Sequence, residues 1–155
     1  MSLFRILRKT TTTILIFVLG AAIGGFIVTK VRPRSFLNIQ NCSTSCLHTN
    51  ELLGLLGSIG MQYTPTLLPG VILETDHTVV INHPRPSGRV HYVIIPKKDI
   101  KNIADVEESD EAYVQDAVAV IGELVRRDKL NQYRVITNGP GYQSVAYLHF
   151  HLISK

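Results

Sequence analysis

The chain has 155 residues, 45% of them hydrophobic, and a formal net charge of +4 at pH 7. Residues 1–50 contain six Lys or Arg and no Asp or Glu, whereas residues 51–155 contain ten basic and twelve acidic residues. The positive charge therefore flanks an apolar segment and does not form a basic patch on a globular surface. This distribution argues against a nucleic-acid partner, and the length suits one domain with an appendage.

The first predicted element is a transmembrane helix. The residues from Thr10 to Thr29 carry no charge, and Lys9 and Lys30 bound them. A helix of this length is about 30 Å long, which matches the hydrocarbon thickness of a bilayer. A signal peptide cleaved in its Gly/Ala-rich part and a mitochondrial presequence are the alternatives. We expect residues 1–30 to be a single-pass membrane anchor. Its orientation stays open, because three basic residues precede the helix and three follow it.

Residues 31–70 are predicted to link this anchor to a domain. They contain the only cysteine pair, Cys42 and Cys46, for which a local disulfide, free thiols, lipidation and half of a metal site are all open. A short Leu-rich helix is predicted from Glu51 to Gly60, followed by a loop rich in proline and glycine.

Residues 71–155 are predicted to form an α+β domain with an antiparallel sheet. Alternating and β-branched patterns predict five strands, and one amphipathic helix begins at Ser109 and ends near Lys129. The predicted order is β-β-β-α-β-β, counting a terminal strand that follows a Gly-Pro turn, and the connections are short enough for antiparallel pairing. The first four strands are Val71–Glu74, Thr78–Asn82, Val90–Pro96 and Arg134–Thr137.

The last predicted strand runs from Gln143 to Ile153 and carries two histidines. Side chains alternate between the two faces of a strand, so His149 and His151 are expected on one face, roughly 6.6 Å apart along the strand. Tyr147 falls on the same face, and the opposite face is wholly apolar. This pattern predicts an active-site wall with two imidazoles close enough to contact one phosphate-sized group.

Two sequence blocks resemble the histidine-triad (HIT) family of nucleotide hydrolases and transferases. The segment Gln-Ser-Val followed by His149-Phe150-His151-Leu152-Ile153 is similar to the family signature His-φ-His-φ-His-φ-φ, where φ is apolar. The block His91-Tyr-Val-Ile-Ile-Pro-Lys is similar to another strand of the family, whose pattern is His-φ-φ-φ-Ile-Pro-Lys. The resemblance covers roughly residues 71–153, with the long helix between the two blocks. It implies a curved five-stranded antiparallel sheet, a homodimer and a nucleotide site.

The resemblance also implies roles for individual residues. His149 matches the nucleophile that attacks an α-phosphate, and His151 matches the histidine that binds the phosphate oxygens. His91 matches a histidine beside the nucleophile. The remaining candidates are a phosphate-contacting residue and two residues near the scissile bond and leaving group: Asn138, Gln143 and Ser144.

Two positions depart from the family pattern. Tyr147 stands where the family has its first triad histidine, and tyrosine cannot replace imidazole as a cation near neutral pH. His83 stands where the family often has an acidic residue that holds the ribose hydroxyls, so ribose recognition by this chain is an open question.

The expected function is therefore that of a membrane-anchored nucleotidyl hydrolase or transferase. It would cleave a phosphoramidate or phosphoanhydride through a nucleotidyl-histidine, because imidazole near neutral pH is a competent nucleophile. A CDP-diacylglycerol-type lipid nucleotide pyrophosphatase and a catalytically silent nucleotide-binding protein are the alternatives. We expect no metal and no cofactor, a nucleotide and the bilayer as partners, and no nucleic acid.

Overall fold

The computed structural model describes residues 2–34, 47–65 and 69–155. The chain divides into two compact units, Met1–Arg32 and Pro33–Lys155. The predicted cysteine pair, Cys42 and Cys46, lies outside the described residues.

The first unit contains one helix, α1 (Ser2–Val28). Its stretch Arg8–Phe26 has a mean hydropathy of 1.5 and none of it is buried. By length and composition this stretch could cross a membrane, although a signal sequence near an N-terminus has the same properties.

The second unit is built on a five-stranded antiparallel sheet, as predicted. Its strands are β1 (Val71–Glu74), β2 (Thr78–Asn82), β3 (Val90–Pro96), β4 (Tyr133–Thr137) and β5 (Phe150–Ser154). They lie in the order β1-β2-β3-β5-β4, so β5 is central and pairs with both β3 and β4. The predicted α+β class is confirmed.

Among the described residues, each face of the sheet packs against a helix. On one face, α3 (Glu111–Arg127) sets Ala117, Val120 and Leu124 against Ile94 and Leu152 of the strands. Fully burying one such Leu or Ile contributes about 1.5–3 kcal/mol, so this layer is the main source of stability.

The second helix, α2 (Thr49–Tyr63), packs on the opposite face. Its Met61 contacts a smaller apolar cluster that contains Val79, Val93 and Tyr147. Val93 is the cross-strand partner of His151, and paired residues point to the same side of a sheet. The face that carries α2 is therefore also the face that carries the histidines.

The last strand is shorter than predicted. It begins at Phe150, so the prediction of a continuous strand from Gln143 to Ile153 is wrong for the residues before it. The backbone N–H groups of this segment bond outside the sheet: Ala146 N–H donates to Asn50 O at 3.0 Å, and Leu148 N–H donates to Ile100 O at 2.6 Å. We call residues 143–149 the 143–149 loop.

The start of the long helix is also later than predicted. A 3₁₀ turn occupies Glu108–Asp110, and the α-helix begins at Glu111 with Asp110 as its N-cap, not Ser109. The Asp110 carboxylate accepts from Glu107 N–H at 2.9 Å, as part of a capping box that closes the 3₁₀ turn.

Candidate active site

His149 is the last residue of the 143–149 loop, directly before β5. Its Nδ1 lies 2.7 Å from the Tyr147 carbonyl oxygen. A carbonyl only accepts, so Nδ1 carries the proton and Nε2 keeps its lone pair. Thr137 Oγ1 donates to His149 O at 2.9 Å and fixes the backbone at this point. The arrangement holds His149 in the tautomer that a nucleophile attacking through Nε2 requires.

His151 lies two residues further, with its ring edge-on to that of His149 at a centroid distance of 4.9 Å. Its Nδ1 is 3.0 Å from His91 Nε2. His91 Nδ1 accepts from Ser87 N–H at 3.2 Å, so its proton is on Nε2 and is donated to His151. His151 consequently carries its own proton on Nε2, where it can be donated to a substrate oxygen.

All three histidines have pKa values below the ordinary value near 6.5. Burial is the first cause in each case. The pKa of His151 falls to about 4, because the neighbouring His149 and His91 also disfavour its charge. The Tyr147 carbonyl acts in the opposite direction on His149 but does not cancel the effect of burial. The cluster is therefore neutral at pH 7.

His83 is brought into the same cluster. Its ring stacks on that of His91 at 4.0 Å with an interplanar angle of 4°, and its centroid is 5.7 Å from that of His151. Its Nδ1 accepts from Arg85 N–H at 3.0 Å, which leaves the proton on Nε2. His83 thus offers a hydrogen-bond donor where a carboxylate would offer an acceptor.

Three of these imidazoles are close enough to surround one ion. Ligand atoms of His83, His91 and His151 all lie within 4.8 Å of one another. The backbone N–H groups on the Nδ1 atoms of His83 and His91 oppose this use, because Nε2 then bears a proton and not a free lone pair. These hydrogen bonds favour an oxygen acceptor over a metal, and the expected lack of a metal stays a prediction.

Tyr147 is a buried packing residue. Its side chain is 3% exposed within the apolar cluster of the histidine face, and its hydroxyl donates to Pro96 O at 2.7 Å. Burial raises its pKa, so the phenol stays neutral. Its hydrogen bond with His149 is made by its backbone carbonyl, whereas its hydroxyl bonds to Pro96 O.

The three other predicted site residues have different environments in the structure. Gln143 is 8% exposed, and its Nε2 lies 3.0 Å from Lys101 O and 3.5 Å from Tyr147 O, so its amide supports the loop from within. Ser144 is exposed to solvent. Asn138 follows Thr137, the partner of Phe150, so continuing the register brings Asn138 opposite His149.

Sequence reasoning missed the loop that sets the tautomers. Ser87 N–H binds His91 Nδ1, and Ser87 Oγ lies 3.3 Å from the same atom. The backbone groups of Arg85 and Ser87 have no signature in the sequence. The only available signal was a serine four residues before a histidine, in a loop that two prolines and a glycine keep rigid.

Comparison with protein families gives one match, to a family described as "Scavenger mRNA decapping enzyme C-term binding", over residues 64–155. A HIT-like protein of Chlamydia muridarum is 37% identical over 86 residues, which are 53% of this chain and 68% of that protein. A bifunctional adenosine 5′-phosphosulfate phosphorylase/adenylylsulfatase of Arabidopsis thaliana is 31% identical over 84 residues, covering 52% of this chain and 58% of that one.

Solved structures agree with the sequence comparisons. A HIT family hydrolase from Legionella pneumophila superimposes with a TM-score of 0.55 and 27% identity, over 61% of this chain and 88% of that one. A HIT family hydrolase from Clostridium thermocellum gives 0.56 and 26%, over 63% and 89%. The residues of the family match, 64–155, contain the sheet, α3 and the histidine cluster. From residue 64 onwards, the chain belongs to the histidine-triad family.

Proposed function

We propose that this chain is a nucleotidyl hydrolase or transferase that acts at the α-phosphate of a nucleoside monophosphate derivative. The observation that carries the proposal is the tautomer of His149, whose Nδ1–H is held by the Tyr147 carbonyl and whose Nε2 is unprotonated. The depressed pKa of His149 adds support, because an unprotonated imidazole is then the dominant form at pH 7.

In the first step, His149 Nε2 attacks phosphorus and the bond to the leaving nitrogen or oxygen breaks. The leaving group departs with the bond's electron pair and takes a proton from solvent. The imidazole becomes cationic when Nε2 bonds to phosphorus, and the Tyr147 carbonyl stabilises this charge through Nδ1–H. In the second step, water or another acceptor attacks phosphorus and its proton passes to solvent. The P–N bond breaks with its electron pair returning to Nε2, so neutral His149 is restored.

His151 supplies the electrostatic support for both steps. Its Nε2–H donates to a non-bridging oxygen, while His91 fixes its ring through the 3.0 Å contact at Nδ1. A cavity of about 550 Å³ is lined by Gln143, Ala146 and the start of α2, but by none of the clustered histidines, so it is not assigned to the leaving group. Asn138 and Ser144 are proposed to contact the phosphate and the leaving group, respectively.

We also propose that the protein is a membrane-anchored dimer. The exposed apolar stretch Arg8–Phe26 supports the anchor. The edge strand β4 leaves Tyr133 and Val135 50% and 43% exposed, which supports association through this edge.

A second candidate substrate is a lipid nucleotide such as CDP-diacylglycerol. The apolar helix favours it, because an anchor would hold the site near a substrate that resides in the bilayer. The chemistry at His149 would be the same, with phosphatidate as the leaving group.

The test uses the full-length chain in detergent with three substrates: a fluorogenic adenosine 5′-phosphoramidate, a dinucleoside polyphosphate and CDP-diacylglycerol. Turnover of either soluble substrate supports the first proposal, and selective turnover of the lipid supports the second. His149→Ala should abolish turnover, whereas His77→Ala, which changes a histidine outside the cluster, should not. Binding of AMP without any turnover would identify a catalytically silent protein and contradict the proposal.

A further inference from the structure

Arg34 is buried although it follows the apolar helix by only a few residues. Its side chain is 1% exposed, and its Nη2 pairs with the Asp99 carboxylate, itself 2% exposed. The Glu51 carboxylate lies 3.6 Å from Nη1. Burying a guanidinium costs free energy unless its N–H groups are hydrogen-bonded or paired with a charge. We therefore attribute the burial of Arg34 to these contacts.

One of these contacts is with the 143–149 loop. Arg34 Nη1 donates to the Ala146 carbonyl, 112 residues further along the chain. Ala146 O is the oxygen of the peptide that joins Ala146 to Tyr147, and the next carbonyl along the chain holds His149 Nδ1–H. Arg34 is thus one peptide unit away from the group that sets the nucleophile's tautomer.

The N-terminal end of α2 contacts the same loop. Asn50 Nδ2 donates to Gln143 O at 3.0 Å, and Ala146 N–H donates to Asn50 O at 3.0 Å. At Gly54 even a methyl group would meet Ala146 O and the Arg34 guanidinium. Helix and guanidinium therefore both contact the loop.

We infer that Arg34 is a positioning residue for His149. Its guanidinium fixes the Ala146–Tyr147 peptide and thereby the carbonyl that holds the nucleophile with Nε2 directed to phosphorus. Arg34 and α2 precede residue 64, where the family match begins, so this support comes from a segment outside the matched domain. The kinetic part of the inference rests on the proposed function, and its structural part does not.

The first test separates positioning from stability. Arg34→Met leaves Asp99 buried without this partner, so it should lower both Tm and kcat. Arg34→Met combined with Asp99→Leu removes both charges and should recover much of the Tm, because apolar replacements of a buried pair are often tolerated. It should still reduce kcat by roughly 10- to 100-fold, the scale expected from a small misplacement of a reacting group, with little change in KM. Recovery of kcat together with Tm would overturn the inference.

A second variant keeps the test decisive if the double variant does not fold. Arg34→Lys retains a charge for Asp99 but lacks the fork that reaches two acceptors at once. It should speed hydrogen exchange at the amides of Ala146 and Leu148 and lower kcat. Unchanged exchange at both amides would overturn the inference.

Lys98→Met is the matched control. It removes the 2.8 Å partner of another buried carboxylate, Asp110, at the start of α3, the helix on the face of the sheet opposite the histidines. It should lower Tm without affecting loop exchange or kcat. If wild-type protein turns over no nucleotide, the proposed function fails, and the exchange experiment still decides whether Arg34 fixes the loop.

Discussion

Replacing Tyr147 tests whether the departure from the triad pattern disables the site. The Tyr147 hydroxyl donates to Pro96 O at 2.7 Å in a buried environment, and the side chain does not contact His149 through a polar atom. Tyr147→Phe removes the donor and leaves a buried carbonyl without it. The free energy of unfolding should fall by about 1–3 kcal/mol. For a domain of this size that corresponds to a Tm lower by roughly 4–12 °C.

Activity should change little in the same variant. The Tyr147 carbonyl that holds His149 Nδ1–H is part of the backbone and survives the substitution, so kcat/KM should stay within about threefold. Tyr147→His, which restores the family residue, should be less stable than Tyr147→Phe, since it places a polar ring among apolar side chains and leaves Pro96 O without its phenol donor. It should not raise kcat.

The assays are thermal unfolding and phosphoramidate turnover on the full-length chain. Tyr142→Phe is the control, because Tyr142 is 85% exposed and should affect neither measurement. A fall in kcat/KM of more than about tenfold for Tyr147→Phe with an unchanged Tm would refute the packing role. It would mean that the hydroxyl takes part in the chemistry.

Three further predictions concern pH, packing and the anchor. Because the pKa values of His149 and His151 are lowered, the acid limb of kcat/KM should have its midpoint below 6.5. Below pH 6.5 the unfolded chain binds more protons than the native chain, so Tm should fall from pH 6.5 towards pH 4. The fall should be less steep in His151→Gln. A Tm that is constant over this range would contradict the lowered pKa values. Gly54→Ala should lower both Tm and kcat, because the added methyl group would displace Ala146 and Arg34. Gly60→Ala has open space around it and should stabilise α2 by about 0.5–1 kcal/mol. Equal effects of the two variants would refute the close approach at Gly54. Carbonate extraction of membranes should leave the full-length protein in the pellet, and its release would refute the anchor.

The sequence predicted the sheet well because its strands are locally specified. The β-branched runs around β2 and β3 end at turn residues, and the observed bounds of β1, β2 and β3 match the predicted ones. The motif also predicted that His91, His149 and His151 lie together. Their ring centroids are 5.2 Å (His91 to His151) and 4.9 Å (His149 to His151) apart. These features depend on residues near each other in sequence or on a recognisable pattern.

The 143–149 loop was not predictable in the same way. The alternation from Gln143 to Ile153 has period two, yet its first half bonds to α2 and to residues 100 and 101 instead of a neighbouring strand. In the sequence, Arg34 is one of the basic residues that follow the apolar segment. Its burial against Asp99 depends on a contact between residues that are far apart in the chain. Periodicity reports which side chains are apolar, but not which distant backbone group will satisfy a donor.

The stereochemical course at phosphorus tests the central claim most directly. A nucleotidyl-histidine requires two in-line displacements, each of which inverts the configuration at phosphorus. Hydrolysis of a chiral adenosine 5′-phosphorothioate derivative in ¹⁸O-labelled water should therefore proceed with net retention. Net inversion would mean that water attacks directly and that His149 is not a nucleophile.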